Sequence, residues 1–223
     1  MGWQRRDGEV IGEFDAVILD HDGTIVDSET AMYRAYARWA EEFGVDATEL
    51  PKYIGMPSAA ISEILVPGRS QYAADRIEQL EVEDTDGVTA MPGAMTALTE
   101  LPADAVAIAT SCTAPLLRAR MAKAGLPLPP VVVTRDDVTE GKPSPESFLL
   151  AAERMGVEPE RALVIEDAPA GVRAARAGGF PVLGILSSQT PEILEADHHV
   201  KDLSAVVWEI ADGVIRARLT SSS

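Results

Sequence analysis

Five short apolar runs constrain this chain more than any other feature: residues 14–20 (FDAVILD), 105–110 (AVAIAT), 130–133 (PVVV), 162–165 (ALVI) and 181–186 (PVLGIL). They are rich in β-branched and small apolar side chains and lack polar alternation, the pattern of strands buried on both faces. Helical stretches lie between them at 94–101, 114–124, 145–155 and 170–177. Strands alternating with helices predict an α/β fold, a doubly wound parallel sheet. At 223 residues the chain can build that core and still carry a smaller module.

Residues 30–90 break the rhythm. They offer helical patterns at 31–43, 58–65 and 70–80 and no convincing strand, so an all-helical cap is expected there, inserted into a core formed by 1–29 and 91–223. Met91-Pro92-Gly93 suits a boundary, because proline disfavours helix at the preceding residue and glycine permits a sharp turn.

A formal net charge of -17 argues against nucleic acid, whose binding needs clustered Lys and Arg. An anionic substrate would then need local positive charge, which a divalent cation and one placed Lys can supply. The single cysteine, Cys112, excludes an intrachain disulfide and points to a reducing compartment. Residues 1–13 carry Arg5 and Arg6 without an apolar run behind them, and no segment approaches the roughly 20 apolar residues of a membrane span. The expectation is a cytoplasmic monomer or weak dimer with a frayed tail at 221–223.

Chemistry concentrates where the apolar runs end. The first ends in Asp20-His21-Asp22-Gly23-Thr24, and ligands of open α/β sheets bind beyond the carboxyl ends of the strands. Asp20 can attack phosphorus. Asp22 can protonate the leaving oxygen and later take a proton from water, while Gly23 lets the backbone turn beneath them. Thr110-Ser111 ends the second run with hydroxyls for a phosphoryl oxygen, or with a helix cap. Lys142, in Gly141-Lys142-Pro143, can offset repulsion between a carboxylate and a phosphate, or be a solvated turn lysine. Glu166-Asp167 closes the fourth run and suits a hard cation such as Mg²⁺, although a helix cap is the plainer role for Asp167.

These segments together resemble the haloacid dehalogenase-like hydrolases, in the group with a helical cap after the first strand. The likeness runs from about residue 14 to 211 and rests on DHDGTIVDSE at 20–29, ATS at 109–111, GKPSPESFLLAAERMGV at 141–157 and VIEDAPAGVRAARAGG at 164–179. The resemblance implies that Asp20 becomes phosphorylated, that Asp22 is the general acid and base, and that Thr110 and Lys142 hold the phosphoryl group, with Gly23 and Ser111 beside it. It also implies Mg²⁺ bound by Asp167 with Glu166, Asp20 and the main-chain carbonyl of Asp22.

That family also holds dehalogenases, phosphonate-cleaving enzymes and phosphomutases. The dehalogenases lack an acid/base Asp at the place of Asp22, and the phosphonate-cleaving members use a cap Lys absent from residues 55–61 (GMPSAAI). The β-phosphoglucomutase branch carries a His where this chain has Met32, and an Arg in the cap loop where residues 55–58 have none. Residues 43–56 (FGVDATELPKYIGM) and 166–174 (EDAPAGVRA) look like the glycerol-phosphate and 2-deoxyglucose-6-phosphate phosphatases, except that Met56-Pro57 replaces their Arg. The expected activity is a Mg²⁺-dependent phosphatase for a small sugar or polyol phosphate. A phosphomutase and a non-catalytic binding protein are the alternatives.

Other features receive structural readings. His21 should point away from both flanking carboxylates if strand alternation holds. His198-His199 lack a third ligand nearby in sequence, Cys112 has no His spaced to activate it, and the acidic run at 81–86 reads as a solvated loop or helix end.

Overall fold

The computed structural model describes residues 8–53, 56 and 58–220. The elements follow in chain order. Strand β1 (Glu9–Phe14) bends at Asp15 into β2 (Ala16–Leu19), and β3 (Val26–Asp27) leads to helix α1 (Glu29–Phe43). Helices α2 (Ser58–Leu65) and α3 (Ser70–Glu83) follow, then β4 (Thr89–Ala90), α4 (Ala94–Glu100), β5 (Val106–Ala109), α5 (Ala114–Ala124) and β6 (Val131–Val133). Next come α6 (Glu146–Met155), β7 (Ala162–Glu166), α7 (Pro169–Ala177), β8 (Val182–Ile185), α8 (Pro191–Leu194), β9 (His198–Val200), β10 (Val206–Ala211) and β11 (Val214–Leu219).

The expected parallel sheet is present with the order β6-β5-β2-β7-β8-β9, every pairing parallel. Each residue of β2, AVIL, is buried, because helices cover both faces of a central strand. Val17 and Leu19 join one apolar cluster, Ala16 and Ile18 the other. From β2 the chain builds outward through β5 and β6, then returns to β2's other side through β7, so β2 stands at the reversal of strand order where α/β sheets bind ligands.

Helices α1, α2 and α3 pack on a core of their own around Trp39, Ile61, Ile77 and Leu80. The indole N–H of Trp39 donates to the Ala73 carbonyl at 2.8 Å. The segment leaves and re-enters the main body through a two-stranded ribbon, Val26 opposite Ala90 and Asp27 opposite Thr89. A strand therefore lies at the end of the stretch expected to hold none; two residues are too few for periodicity to register. The residues expected to form the cap loop, Gly55 and Pro57, lie outside the described residues, as do the N-terminal 1–7 and the tail 221–223.

Sequence patterning did not anticipate a second sheet, the antiparallel β1-β11-β10, nor β9, where His198 and His199 pair with Leu183 and Gly184. Among the described residues no helix is long and apolar enough to cross a membrane.

Candidate functional site

Four of the expected residues meet beyond the carboxyl ends of β2 and β7. The ammonium of Lys142 lies 2.5 Å from Asp20 Oδ1 and 2.7 Å from Glu166 Oε1, and also donates to the Ala109 carbonyl at 3.1 Å. Carboxylate oxygens of Asp20, Glu166 and Asp167 all lie within 4.8 Å of one another. All four side chains are buried. Lys142 comes from the loop between β6 and α6, a loop pinned by Asp137, which accepts from Thr134 N and Oγ1 at 2.8 Å and from Arg154 at 2.7 Å. The ammonium of Lys142 also lies over the Phe148 ring, 4.6 Å from its centre.

Burial fixes the electrostatics. It pushes the Asp20 carboxyl well up, and Glu166 and Asp167 add to this against the pull of Lys142. Asp167 rises to about 7 through burial and then the charge of Glu166. Burial alone would lower Lys142, but Asp20 and Glu166 outweigh it and hold the ammonium protonated. Three carboxylates facing one ammonium leave an excess of negative charge, and the donor set is all oxygen. Such a group fits a hard divalent cation, which would relieve the repulsion that raises Asp20 and Asp167.

Two glycines make this packing possible. Gly23 has φ +78°, and a Cβ there would meet Asp167 Oδ2 at 2.1 Å. On α7, a Cβ at Gly171 would sit 1.6 Å from Glu166 Oε1. Glu166 is further held by the Ala168 N–H at 2.8 Å.

Thr110 is buried at the end of β5, its hydroxyl accepting from Cys112 N at 3.0 Å. The hydroxyl proton thus remains for another acceptor. Ser111 is exposed. The Asp22 carboxylate stands apart from the acidic trio: Oδ2 receives Arg120 at 2.9 Å and the Cys112 thiol at 2.8 Å and lies 3.1 Å from His21 Nδ1, while Oδ1 receives Ser28 Oγ at 2.5 Å. Burial would raise this carboxyl, but His21 and Arg120 hold it well below the usual range.

Two structural readings therefore need correction. His21 does not point away from Asp22, because β2 ends at Leu19 and the alternation of strand side chains stops before it. The acidic run is not wholly solvated: Glu81 is buried against Arg120 at 2.8 Å. Cys112 is a buried thiol whose pKa is pushed up by burial and by Asp22, as its reading as a small buried residue expects, but a histidine does lie beside it, His21 Nδ1 at 3.9 Å from Sγ. Residues not anticipated include Arg120, Ser28 and two hydroxyls on Asp167, Thr24 at 3.4 Å and Ser187 at 3.1 Å. Ser187 follows strand β8, so the carboxyl-end rule applied there too would have found it.

Glu81 yields a pH prediction. Burial raises its carboxyl to about 7, with Arg120 opposing. A carboxyl whose pKa is higher folded than unfolded binds its proton more tightly in the native state, so stability falls as pH rises between the two values. Relative to Glu81→Gln, the parent should lose stability from pH 4.5 to about 7 and change little above that. Denaturant titrations across that interval check it, and parallel curves would refute the assignment.

A profile of haloacid dehalogenase-like hydrolases matches residues 14–179. This chain belongs to that family. Hexitol phosphatase A of Escherichia coli is 37% identical to this haloacid dehalogenase-like hydrolase over 210 residues, spanning 89% of this chain and 97% of the relative. The validoxylamine A 7'-phosphate phosphatase of Streptomyces hygroscopicus subsp. limoneus is 32% identical over 209 residues, 87% and 97% of the two chains. A solved hydrolase from Pseudomonas syringae superposes with a TM-score of 0.74 at 26% identity, covering 85% of this chain and 94% of its own.

Proposed function

We propose that this haloacid dehalogenase-like hydrolase is a phosphoric monoester hydrolase acting on a small sugar or polyol phosphate. The observation that carries the reading is Lys142 bridging Asp20 and Glu166 at the switch point of the sheet. The names of the relatives, a hexitol phosphatase and a fructose-1-phosphate phosphatase, supply the substrate class.

In this reading Asp20 attacks phosphorus and forms an aspartyl phosphate. Lys142 neutralises the approach of carboxylate to phosphate, and Thr110, with the backbone at Gly23 and Ser111, receives the phosphoryl oxygens. Asp22 protonates the departing alkoxide and then takes a proton from the water that cleaves the intermediate. Asp20, Glu166, Asp167 and the Asp22 carbonyl would hold Mg²⁺, which supplies positive charge for the phosphoryl oxygens when bound. Residues 30–90 act as the cap over a core of 1–29 and 91–223, closing to keep bulk water out.

The test is a phosphate-release screen over hexitol, hexose, deoxyhexose and glycerol phosphates. Release from at least one polyol or sugar phosphate is expected with Mg²⁺, and its loss with EDTA. Isomerisation of a hexose phosphate outpacing phosphate release would replace the phosphatase with a mutase, and tight binding without turnover would make it a binding protein.

A further inference from the structure

A polar cluster between the helical insertion and the core joins Asp22 to Glu81 and Arg120, two buried residues that the reading above gives no part. Glu81, from α3 of the insertion, accepts from Arg120 Nη2 at 2.8 Å; Arg120, on core helix α5, gives Nη1 to Asp22 Oδ2 at 2.9 Å. The same Nη1 lies 3.5 Å from Cys112 Sγ. Arg120 is 4% exposed and Glu81 9%. Buried ion pairs are poor sources of stability, because desolvation offsets the Coulomb attraction and apolar side chains of similar volume do as well or better. A stability role alone does not account for two charges, Arg120 and Glu81, buried together beside the acid/base residue.

We propose that Arg120 is a positioning residue for Asp22, with Glu81 fixing the guanidinium from the insertion side. The inference rests on the phosphatase reading above. A guanidinium is planar, permanently charged and directional, so two carboxylates on two of its nitrogens fix its orientation. That orientation sets where Asp22 Oδ2 rests, and Ser28, immediately before α1, sets Oδ1. Both restraints connect to the insertion, one through Glu81 and one through Ser28, two residues before it begins. Without Arg120 the Asp22 carboxylate keeps Ser28, Cys112 and His21, none of which carries a permanent charge, and its place relative to a leaving oxygen is no longer set. The steps that suffer are proton donation to the departing alkoxide and the later activation of water, of which kcat/KM reads only the first. Removing the guanidinium also relieves a charge that keeps Asp22 ionised, so a loss reads position rather than proton affinity. The attack of Asp20 on phosphorus does not use Arg120.

The experiment compares kcat/KM for glycerol phosphate, whose alkoxide must be protonated as it leaves, with that for p-nitrophenyl phosphate, whose phenolate leaves unaided. Arg120→Met is expected to lower the glycerol phosphate value about 100-fold, within the range for general acid catalysis, and the aryl ester value less than about threefold. Glu81→Gln should move the ratio the same way by about tenfold, and Arg120→Lys should recover part of the loss. Equal losses on both esters, in variants that unfold cooperatively, overturn the proposal and leave the phosphatase reading standing. If Arg120→Met fails to fold, an unchanged ratio in Glu81→Gln and Arg120→Lys overturns it equally. A parent protein that releases phosphate from neither ester overturns the phosphatase reading and this inference with it.

Discussion

Asp20→Asn is expected to abolish phosphate release, by roughly 10⁴-fold or more in kcat, the order found when a covalent nucleophile is removed. The fold should survive, and without divalent cations the variant should unfold no earlier than the parent at neutral pH. Burial and the neighbouring Glu166 and Asp167 disfavour the charge on Asp20, so a neutral isostere removes repulsion, while Lys142 keeps Glu166 as partner. Steady-state phosphate release and thermal unfolding in EDTA check both halves. Retained turnover would remove Asp20 from its assigned role, and a large drop in unfolding temperature would show that its charge supports the fold.

Lys142→Met is expected to act in the opposite sense on stability. Its ammonium is the one cation in hydrogen-bonding contact with Asp20 and Glu166 among the described residues. Removing one partner of a buried charge cluster costs about 3–5 kcal/mol, because the remaining charges are left uncompensated. Activity should fall roughly 10³-fold, the upper range for losing one preorganised donor to a developing charge. The two variants thus separate by stability although both are inactive. Mg²⁺ should stabilise Lys142→Met more than it stabilises the parent, since the trio then has no other counter-charge. Denaturant titrations with and without Mg²⁺ decide this: equal shifts would mean that Lys142 does not oppose the cation, and no shift in either protein that the trio does not gather one.

The core strands were legible because burial on both faces leaves no ambiguity of period: the runs at 105–110, 162–165 and 181–186 bracket or overlap β5, β7 and β8. Helix α5 was legible because Gly125 follows its last residue with a left-handed turn. The β10–β11 hairpin escaped notice because residues 206–219 (VVWEIADGVIRARL) were read past the end of the α/β pattern, although Asp212-Gly213 is a strong hairpin signal between two alternating strands. At the site, Asp20, Lys142, Glu166 and Asp167 could be read from strand ends and their loops. Arg120 could not. It lies on a helix whose other arginine, Arg118, is exposed, and nothing in the one-dimensional pattern separates a buried guanidinium from a solvated one until Glu81 and Asp22 are seen on either side.

The β1–β11 pairing ties Glu9–Phe14 to Val214–Leu219 across nearly the whole chain, with Asp15, at the hinge into β2, clasped by the Nε and Nη2 of Arg161 at 3.0 and 2.6 Å. During synthesis β1 emerges long before its mate β11, so it spends that interval with an unsatisfied edge. Contacts of such sequence separation slow folding and expose the growing polypeptide to wrong partners. The order of events is therefore imposed by connectivity: β1, which leads through β2 into Asp20, is locked in place only once Val214–Leu219 has been made.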